Sequence, residues 1–208
     1  MKIGLIGSGR VGGSLGRLWS RAGHQVLYSA SNQNSARAAA QAAGDGALYG
    51  TPVQAAEFAE VVLIAVPWTQ LGGTLSDPFL AAVRGKVVID ATNPYGAPSI
   101  PLPSGLTHSE AVARALPGTK VVKAFNMMQA SVMSGLAAGS ESRSLAIFLA
   151  SDSAEAMQVA AQLVLDAAFV PVPVGPLADG RLFEPGQALY DKQLTEEEAR
   201  RALKELGR

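Results

Sequence analysis

A glycine-rich stretch near the start of the chain, GLIGSGRVGGSLGRLW (4–19), holds two overlapping patterns that point to different chemistry. Gly7, Gly9 and Gly12 fit G-x-G-x-x-G, in which backbone amides at the start of a helix bind the phosphates of a dinucleotide. Ser14 lies in G-x-S-x-G, the pattern that exposes a nucleophilic serine in α/β-hydrolases. The elements around the stretch must decide between the two.

The neighbouring residues favour the dinucleotide pattern. The apolar run Lys2–Ile6 ends at Gly7, and apolar residues then recur from Val11 with the spacing of an amphipathic helix. This order predicts a strand, a glycine turn and a helix. A nucleophile elbow needs its serine on the turn directly after the strand, whereas Ser14 falls about one turn inside the helix. The hydrolase and a glycine turn without a ligand are the less favoured alternatives.

Each glycine of the pattern has a separate physical task. Gly7 allows the tight turn, Gly9 lets the backbone approach a diphosphate, and Gly12 lets the helix pack closely on the strand. The predicted phosphate-binding loop consists of Gly7, Ser8, Gly9, Arg10, Val11 and Gly12.

An acidic residue is missing where a fold that binds NAD would place one. That residue normally ends the second strand and binds the ribose hydroxyls, but residues 1–44 contain no Asp or Glu. Small neutral side chains and nearby arginines suit a 2′-phosphate instead, so we predict NADP(H) as the cofactor. The other interpretation of the arginines is that they are solvated surface charges. The candidates for this contact are Ser29, Ser31, Asn32, Arg10 and Arg37.

Short apolar runs alternate with helical patterns along the rest of the chain. The runs 60–67 (EVVLIAVP) and 86–94 (KVVIDATNP) are unbroken, as in strands that are buried on both faces. Prolines restrict FVPVPVG (169–175) to the edge of a sheet, because proline has no amide hydrogen to donate. The pattern predicts a doubly wound, mostly parallel α/β sheet of the Rossmann type with a small C-terminal extension. Helix starts are predicted at Thr51 with Pro52, Thr107 with Glu110, Asp152 with Glu155, and Thr195 with Glu198.

The ends of the later strands supply the remaining candidate site residues. Ligands of such sheets bind outside the carboxyl ends of the strands, where the glycine loop also lies. Each candidate also has a purely structural interpretation: Trp68 could shield the rim of the sheet, Asn93-Pro94 could form an ordinary turn, and Met127 could fill the core. The candidates are Ala65, Val66, Pro67 and Trp68, then Thr92, Asn93 and Pro94, and finally Asn126 and Met127.

Composition narrows the class of partner. The chain has 208 residues, 17 basic and 17 acidic side chains, no cysteine and two histidines. A neutral charge balance argues against nucleic acid, and the composition offers no thiolate site and little for a metal. No leader or apolar run long enough for a membrane span is present, so we expect a cytoplasmic protein with small-molecule ligands. The last helix has a thin apolar face that we expect to pack on a partner chain, which leaves a homodimer open.

The blocks GLIGSGRVGGSLG, VVLIAVPW, VIDATNP, VVKAFN and GPLADGRLFEP are in the same order as in a known family. The chain resembles the NADP oxidoreductases that act with the deazaflavin coenzyme F-420, and the related NADPH-binding domain of STEAP metalloreductases. The resemblance implies that nicotinamide lies on 65–68 and 93–94. It also implies that a flavin-like acceptor is walled by 126–130 and 176–182, with Arg181 on the acceptor side. The family tends to have arginine at Ser31 or Asn32 and histidine at Asn126, so F-420, FMN and FAD all stay open as acceptors.

The predicted function is hydride transfer between NADPH and a flavin or deazaflavin ring by direct stacking. Such a transfer requires that the protein fix the distance between the two rings and the faces that they present to each other. It needs little help from an acid or a base, so we expect no catalytic side chain. The alternative is a non-catalytic NADP(H) sensor or scaffold. We expect one domain over 1–208, with a dinucleotide-binding core at 1–120, while 121–208 complete the sheet and the acceptor pocket.

Overall fold

The structure is a computed structural model that describes residues 1–44, 46–140 and 144–208. Its strands are β1 Lys2–Ile6, β2 Gln25–Ser29, β3 Leu48–Gly50, β4 Val61–Ile64, β5 Val87–Asp90, β6 Lys120–Lys123, β7 Ala146–Ser151 and β8 Val170–Gly175. Within the described ranges they form one eight-stranded sheet in the order β3-β2-β1-β4-β5-β6-β7-β8. All neighbours are parallel except β6 and β7, which confirms the predicted doubly wound, mostly parallel sheet.

Helices cover both faces of the sheet. They are α1 Arg10–Arg21, α2 Gln33–Ala43, α3 Pro52–Phe58, α4 Trp68–Thr74, α5 Asp77–Val83, α6 His108–Ala115, α7 Ala130–Ala138, α8 Ala154–Asp166 and α9 Glu196–Glu205. Buried side chains of α1, α2, α7, α8 and α9 share one apolar cluster, and those of α3 to α6 share the cluster on the other face. Burial on both faces explains the unbroken apolar runs of β4 and β5. No helix in the described part of the chain is long and apolar enough to cross a membrane.

β7 and β8 run in the opposite direction to the other six strands, so the chain leaves β8 heading toward the amino edge of those six strands. A 3₁₀ helix at Leu177–Phe183 follows β8, and the carbonyl of Phe183 then accepts a hydrogen bond from Asn126 beyond the end of β6. The C-terminal part therefore reaches the carboxyl edge of the parallel strands. β8 is an edge strand, as its prolines predicted.

Helix starts follow the sequence closely, with one exception. Capping boxes are present at Thr107 and Thr195, as predicted. Thr51 caps the helix that begins at Pro52, as predicted, and also forms a capping box with Gln54. The predicted box at Asp152 is wrong: the side chain of Ser153 caps α8, while the Asp152 carboxylate accepts from the amide of Leu177. Asp152 is thus used in a tertiary contact between β7 and the 3₁₀ helix.

The last helix packs on its own chain. Ala199 and Leu203 of α9 are buried in the apolar cluster that includes Val172 of β8. The apolar face that was expected to meet a partner chain is therefore already covered, except for Leu206, which is exposed.

Candidate cofactor-binding and active site

The glycine loop has the geometry that a diphosphate requires. Gly7 has φ 103°, a left-handed conformation, and a Cβ there would lie 2.5 Å from the carbonyl oxygen of Ala65. A Cβ on Gly12 would overlap the carbonyl oxygen of Gly7, so helix and strand pack in direct backbone contact. A Cβ on Gly9 would meet nothing within 4 Å. The space that a side chain would fill at Gly9 is free for a ligand, and Gly9 precedes the first turn of α1, whose amides lack helical partners.

Ser29 supports this loop from within the sheet. Its carbonyl accepts from the Gly7 amide at 3.0 Å and from the Ser8 hydroxyl at 3.1 Å. Its own hydroxyl donates to the Leu5 carbonyl at 2.7 Å, and the residue is fully buried. The prediction that the Ser29 side chain faces the cofactor is therefore corrected: the hydroxyl is used in the sheet, and Ser31 is the serine of this segment that reaches a cavity.

A first cavity, called here the β2 pocket, opens beside the loop toward β2. Its volume is about 840 Å³. Ser31 and Ser35 line it on the side of α2, and the predicted residues at the end of β4 line it opposite. The residues that line it include Gly7, Ser8, Gly9, Ser31, Ser35, Ala65, Val66 and Pro67.

A second cavity, the β6 pocket, lies toward the other half of the sheet. Its volume is about 470 Å³. It begins at Arg10 and Val11 of the loop and is walled by residues that follow β5 and β6. The residues that line it include Arg10, Val11, Asn93, Tyr95, Asn126, Met127, Tyr190 and Asp191.

Two asparagines join the ends of β5 and β6 at this pocket. The Asn93 Nδ2 donates to the carbonyl of Asn126 at 2.8 Å, and the Asn126 Nδ2 donates to Asn93 Oδ1 at 3.0 Å and to the carbonyl of Phe183 at 2.9 Å. Backbone carbonyls only accept, so these bonds fix the orientation of both amides. Phe125 has φ 65°, a conformation that non-glycine residues rarely adopt, and this turn sets the position of Asn126.

A fully hydrogen-bonded polar cluster lies behind the site. The Lys123 Nζ is 2.9 Å from Asp90 Oδ2, donates to the Thr92 carbonyl at 2.5 Å, and is 3.2 Å from His108 Nδ1. The hydroxyl of Thr92 donates to Asp90 Oδ1 at 2.6 Å. All four residues are buried. The cluster holds the Thr92 carbonyl in place, directly before Asn93.

Burial and charge set the protonation of this cluster. Burial alone would raise the pKa of Asp90, but Lys123, His108 and Thr92 outweigh it and hold that pKa below its usual value. Burial lowers the pKa of His108 to about 4, and the charge of Lys123 acts in the same direction. His108 is therefore neutral at physiological pH, and its Nδ1 accepts from the ammonium group.

Two predicted cofactor contacts lie in or against this cluster. Thr92 is buried, with its hydroxyl donated to Asp90. Trp68 is also buried, and its ring lies 4.3 Å from that of His108. Both support the site from behind, which corrects the expectation that they line the cofactor cavity. Pro94 follows Asn93 and lies outside the linings of the cavities described here.

The predicted cations divide between two places. Arg10 lines the β6 pocket and also a groove beside α1, which Arg17 and Ser35 share. Arg37 is exposed and lines none of these cavities. Asn32, a predicted neutral contact for the 2′-phosphate, caps α2 instead: its side-chain oxygen accepts from the amide of Asn34.

The expected acceptor residues are only partly brought together. Asn126 and Met127 both line the β6 pocket. Arg181 is exposed on the 3₁₀ helix and is not in the lining of that pocket. Its acceptor-side role stays a prediction.

Sequence reasoning missed several residues of this region, among them Arg17, Tyr95, Tyr190 and His108. Arg17 could have been found, because it follows Arg10 by two helical turns on the same face. Tyr95 directly follows the Asn93-Pro94 turn. Tyr190 and His108 carry no local signal, since each reaches the site only through the tertiary path of the chain.

Comparison with known proteins gives a family match for the first part of the chain. Residues 2–94 match the family model described as NADP oxidoreductase coenzyme F420-dependent. No curated protein matches the chain.

Three solved structures illustrate the likeness in fold. A hypothetical protein from Sinorhizobium meliloti is 27% identical, with a TM-score of 0.78 over 94% of this chain and 96% of its own. A candidate F-420-dependent NADP reductase from Arthrobacter sp. FB24 is 22% identical, with a TM-score of 0.70 over 94% of this chain and all of its own (100%). Pyrroline carboxylate reductase from Plasmodium falciparum, solved with NADP bound, is 13% identical, with a TM-score of 0.58 over 84% of this chain and 57% of its own.

The family match begins in β1 and ends at the Asn93-Pro94 turn, so it includes the glycine loop and the end of β4. Over residues 2–94 the predicted resemblance to the F-420-dependent NADP oxidoreductases is therefore confirmed.

Proposed function

We propose that the chain transfers hydride between NADPH and a flavin or deazaflavin acceptor, F-420, FMN or FAD, bound in the β6 pocket. The observation that carries the proposal is that the glycine loop has one cavity toward β2 and another toward β6. A dinucleotide has a nucleoside on each side of its diphosphate, so a loop that binds the diphosphate should lie between two such spaces.

The geometry of the loop residues supports binding of the cofactor diphosphate. The free space at Gly9 and the unpartnered amides at the start of α1 suit the diphosphate. When bound, NADPH would supply the hydride for the reaction. The protein would hold the nicotinamide between the end of β4, at Ala65–Pro67, and Asn93.

The surroundings of Ser35 favour the 2′-phosphate of NADP(H). Ser31 and Ser35 line the β2 pocket, and Ser35 also lines the α1 groove together with Arg10 and Arg17. In the described residues, neither lining contains an acidic side chain. Hydroxyl donors with two cations nearby stabilise a phosphate dianion, which a carboxylate at this place would repel.

The second substrate would lie against the nicotinamide in the β6 pocket. Asn93, Asn126 and Met127 form its wall, and the hydrogen bonds between the two asparagines hold that wall rigid. A rigid wall fixes the distance and the face of the acceptor, which is the main requirement for hydride transfer between two stacked rings. We treat 1–208 as one domain, because the return of the chain through Phe183 completes this wall.

The test is NADPH oxidation, followed by the loss of NADPH absorbance, with F-420, FMN and FAD supplied in turn. Turnover with any of them supports the proposal, and NADH should be a poorer donor. Tight NADPH binding with no turnover for all three would contradict it and favour a non-catalytic sensor or scaffold. Arg181→Ala is expected to weaken the acceptor and leave NADPH affinity unchanged, whereas equal losses would show that Arg181 is structural.

A further inference from the structure

Two tyrosines in the wall of the β6 pocket are not needed for transfer between stacked rings. The hydroxyls of Tyr95 and Tyr190 are 2.6 Å apart, and the Tyr190 hydroxyl is 3.4 Å from Asn93 Nδ2. Both residues line the pocket, Tyr190 half-buried and Tyr95 58% exposed. The pair therefore runs from solvent to the interior of the proposed acceptor site.

One arrangement of the hydrogen bonds leaves the Tyr190 proton available to a ligand. One hydrogen of the Asn93 Nδ2 goes to the carbonyl of Asn126, and the other points to the Tyr190 oxygen, which therefore accepts. Either hydroxyl of the tyrosine pair can be the donor. In the arrangement in which Tyr95 donates, the Tyr190 oxygen accepts twice and its own O–H is free to donate into the pocket. The same two donors would stabilise the phenolate that remains after the proton has left.

We propose that Tyr190 is a proton donor and that the β6 pocket also reduces small substrates with a polar C=O or C=N bond. This activity rests on the proposed NADPH site, and it does not require a flavin acceptor. Tyr95 acts as the relay that returns a proton from water to Tyr190.

The step balances with NADPH as the reductant and water as the proton source. A hydride forms a new C–H bond at the carbonyl or imine carbon, and the π electron pair moves to the oxygen or nitrogen. The Tyr190 O–H bond breaks as that atom takes the proton, Tyr190 then takes the proton of Tyr95, and Tyr95 takes one from water. The products are an alcohol or amine and NADP⁺.

The strength of the phenol as an acid selects the substrate class. Burial raises the pKa of Tyr190. The hydrogen bond to Tyr95, in the arrangement in which Tyr190 is the donor, and the charge of the adjacent Asp191 raise it further. The group therefore keeps its proton until a stronger base forms next to it. An alkoxide is such a base, whereas a reduced flavin spreads its charge over the ring and is too weak a base to need a tyrosine.

The experiment measures NADPH oxidation with benzaldehyde, cyclohexanone and a six-membered cyclic imine as probes. At least one probe should be reduced. Tyr190→Phe should lower kcat by about 100-fold or more, the usual effect of losing a general acid, with KM and NADPH affinity near wild type. Small buffer acids should partly restore the rate of this variant and leave the wild type unchanged, which a purely structural role of Tyr190 would not produce.

Two further variants make the result specific. Tyr95→Phe keeps the Tyr190 hydroxyl but removes the relay, so it should lower kcat less than Tyr190→Phe does. Tyr49→Phe, an exposed tyrosine on β3, is the matched control and should behave as wild type. NADPH binding without reduction of any probe, or a Tyr190→Phe variant with unchanged kcat, would overturn the inference while leaving the proposed function standing. Failure to bind NADPH would overturn both.

Discussion

The buried histidine behind the site should make the stability of the protein depend on pH. His108 is neutral in the folded state because its Nδ1 accepts from Lys123 and because burial lowers its pKa from 6.5 to about 4. In the unfolded chain it takes up a proton as the pH falls through about 6.5. Between these two values the unfolded state binds more protons, so the free energy of unfolding decreases as the pH falls.

The size of the effect follows from the two pKa values. At about 1.4 kcal/mol per pKa unit, the difference between 6.5 and about 4 corresponds to a loss of about 3 kcal/mol across this pH range. Below about pH 4 both states are protonated at His108 and its contribution is exhausted. The lowered pKa of Asp90 adds a further loss that begins only at lower pH.

Urea unfolding at a series of pH values from about 7 to about 4 measures this loss. His108→Gln keeps a hydrogen-bond acceptor but cannot take a proton, so its unfolding free energy should fall by about 3 kcal/mol less than that of the wild type. Identical slopes for wild type and His108→Gln would refute the reasoning.

Three further outcomes are expected from the same structure. Gly9→Ala should fold with wild-type stability and lose NADPH affinity in calorimetry, since its Cβ would enter the ligand space, whereas Gly12→Ala should lower the melting temperature because of backbone overlap. Arg10→Ala should weaken the free energy of NADPH binding by about 1.5 to 3 kcal/mol and that of NADH binding by little. Arg37→Ala is the control and should change neither affinity. Equal losses for both cofactors would exclude a contact between Arg10 and the 2′-phosphate. Lys123→Met should cost about 3 to 5 kcal/mol in denaturant unfolding, because it leaves the Asp90 carboxylate buried without its counter-ion, and an unchanged midpoint would show that Asp90 is solvated or protonated instead.

Local patterns were enough to predict the sheet and the glycine loop. The task of each residue in 7–12 depends on its immediate neighbours: a turn at Gly7, and close packing of helix on strand at Gly12. The capping boxes succeeded for the same reason. Asp152 failed because two candidate caps stand side by side, and only the position of the 3₁₀ helix decides which of them is used there.

The second half of the site could not be predicted from local patterns. Lys123 sits within an apolar strand, and its partner His108 comes from the start of a helix 15 residues earlier. Tyr190 meets Tyr95 across 95 residues of sequence. Such contacts depend on the path of the chain over the sheet, and nothing in the spacing of these residue types indicates that path.

The two edges of the sheet determine how copies of this chain can associate. β3 is only three residues long, and β8 carries prolines at 171 and 173 that have no amide hydrogen to offer. A second copy therefore finds almost no row of free backbone donors at which to add a strand, which protects the protein against edge-to-edge aggregation. A dimer of this chain would have to form through helix faces or loops instead of through a continuous intermolecular sheet.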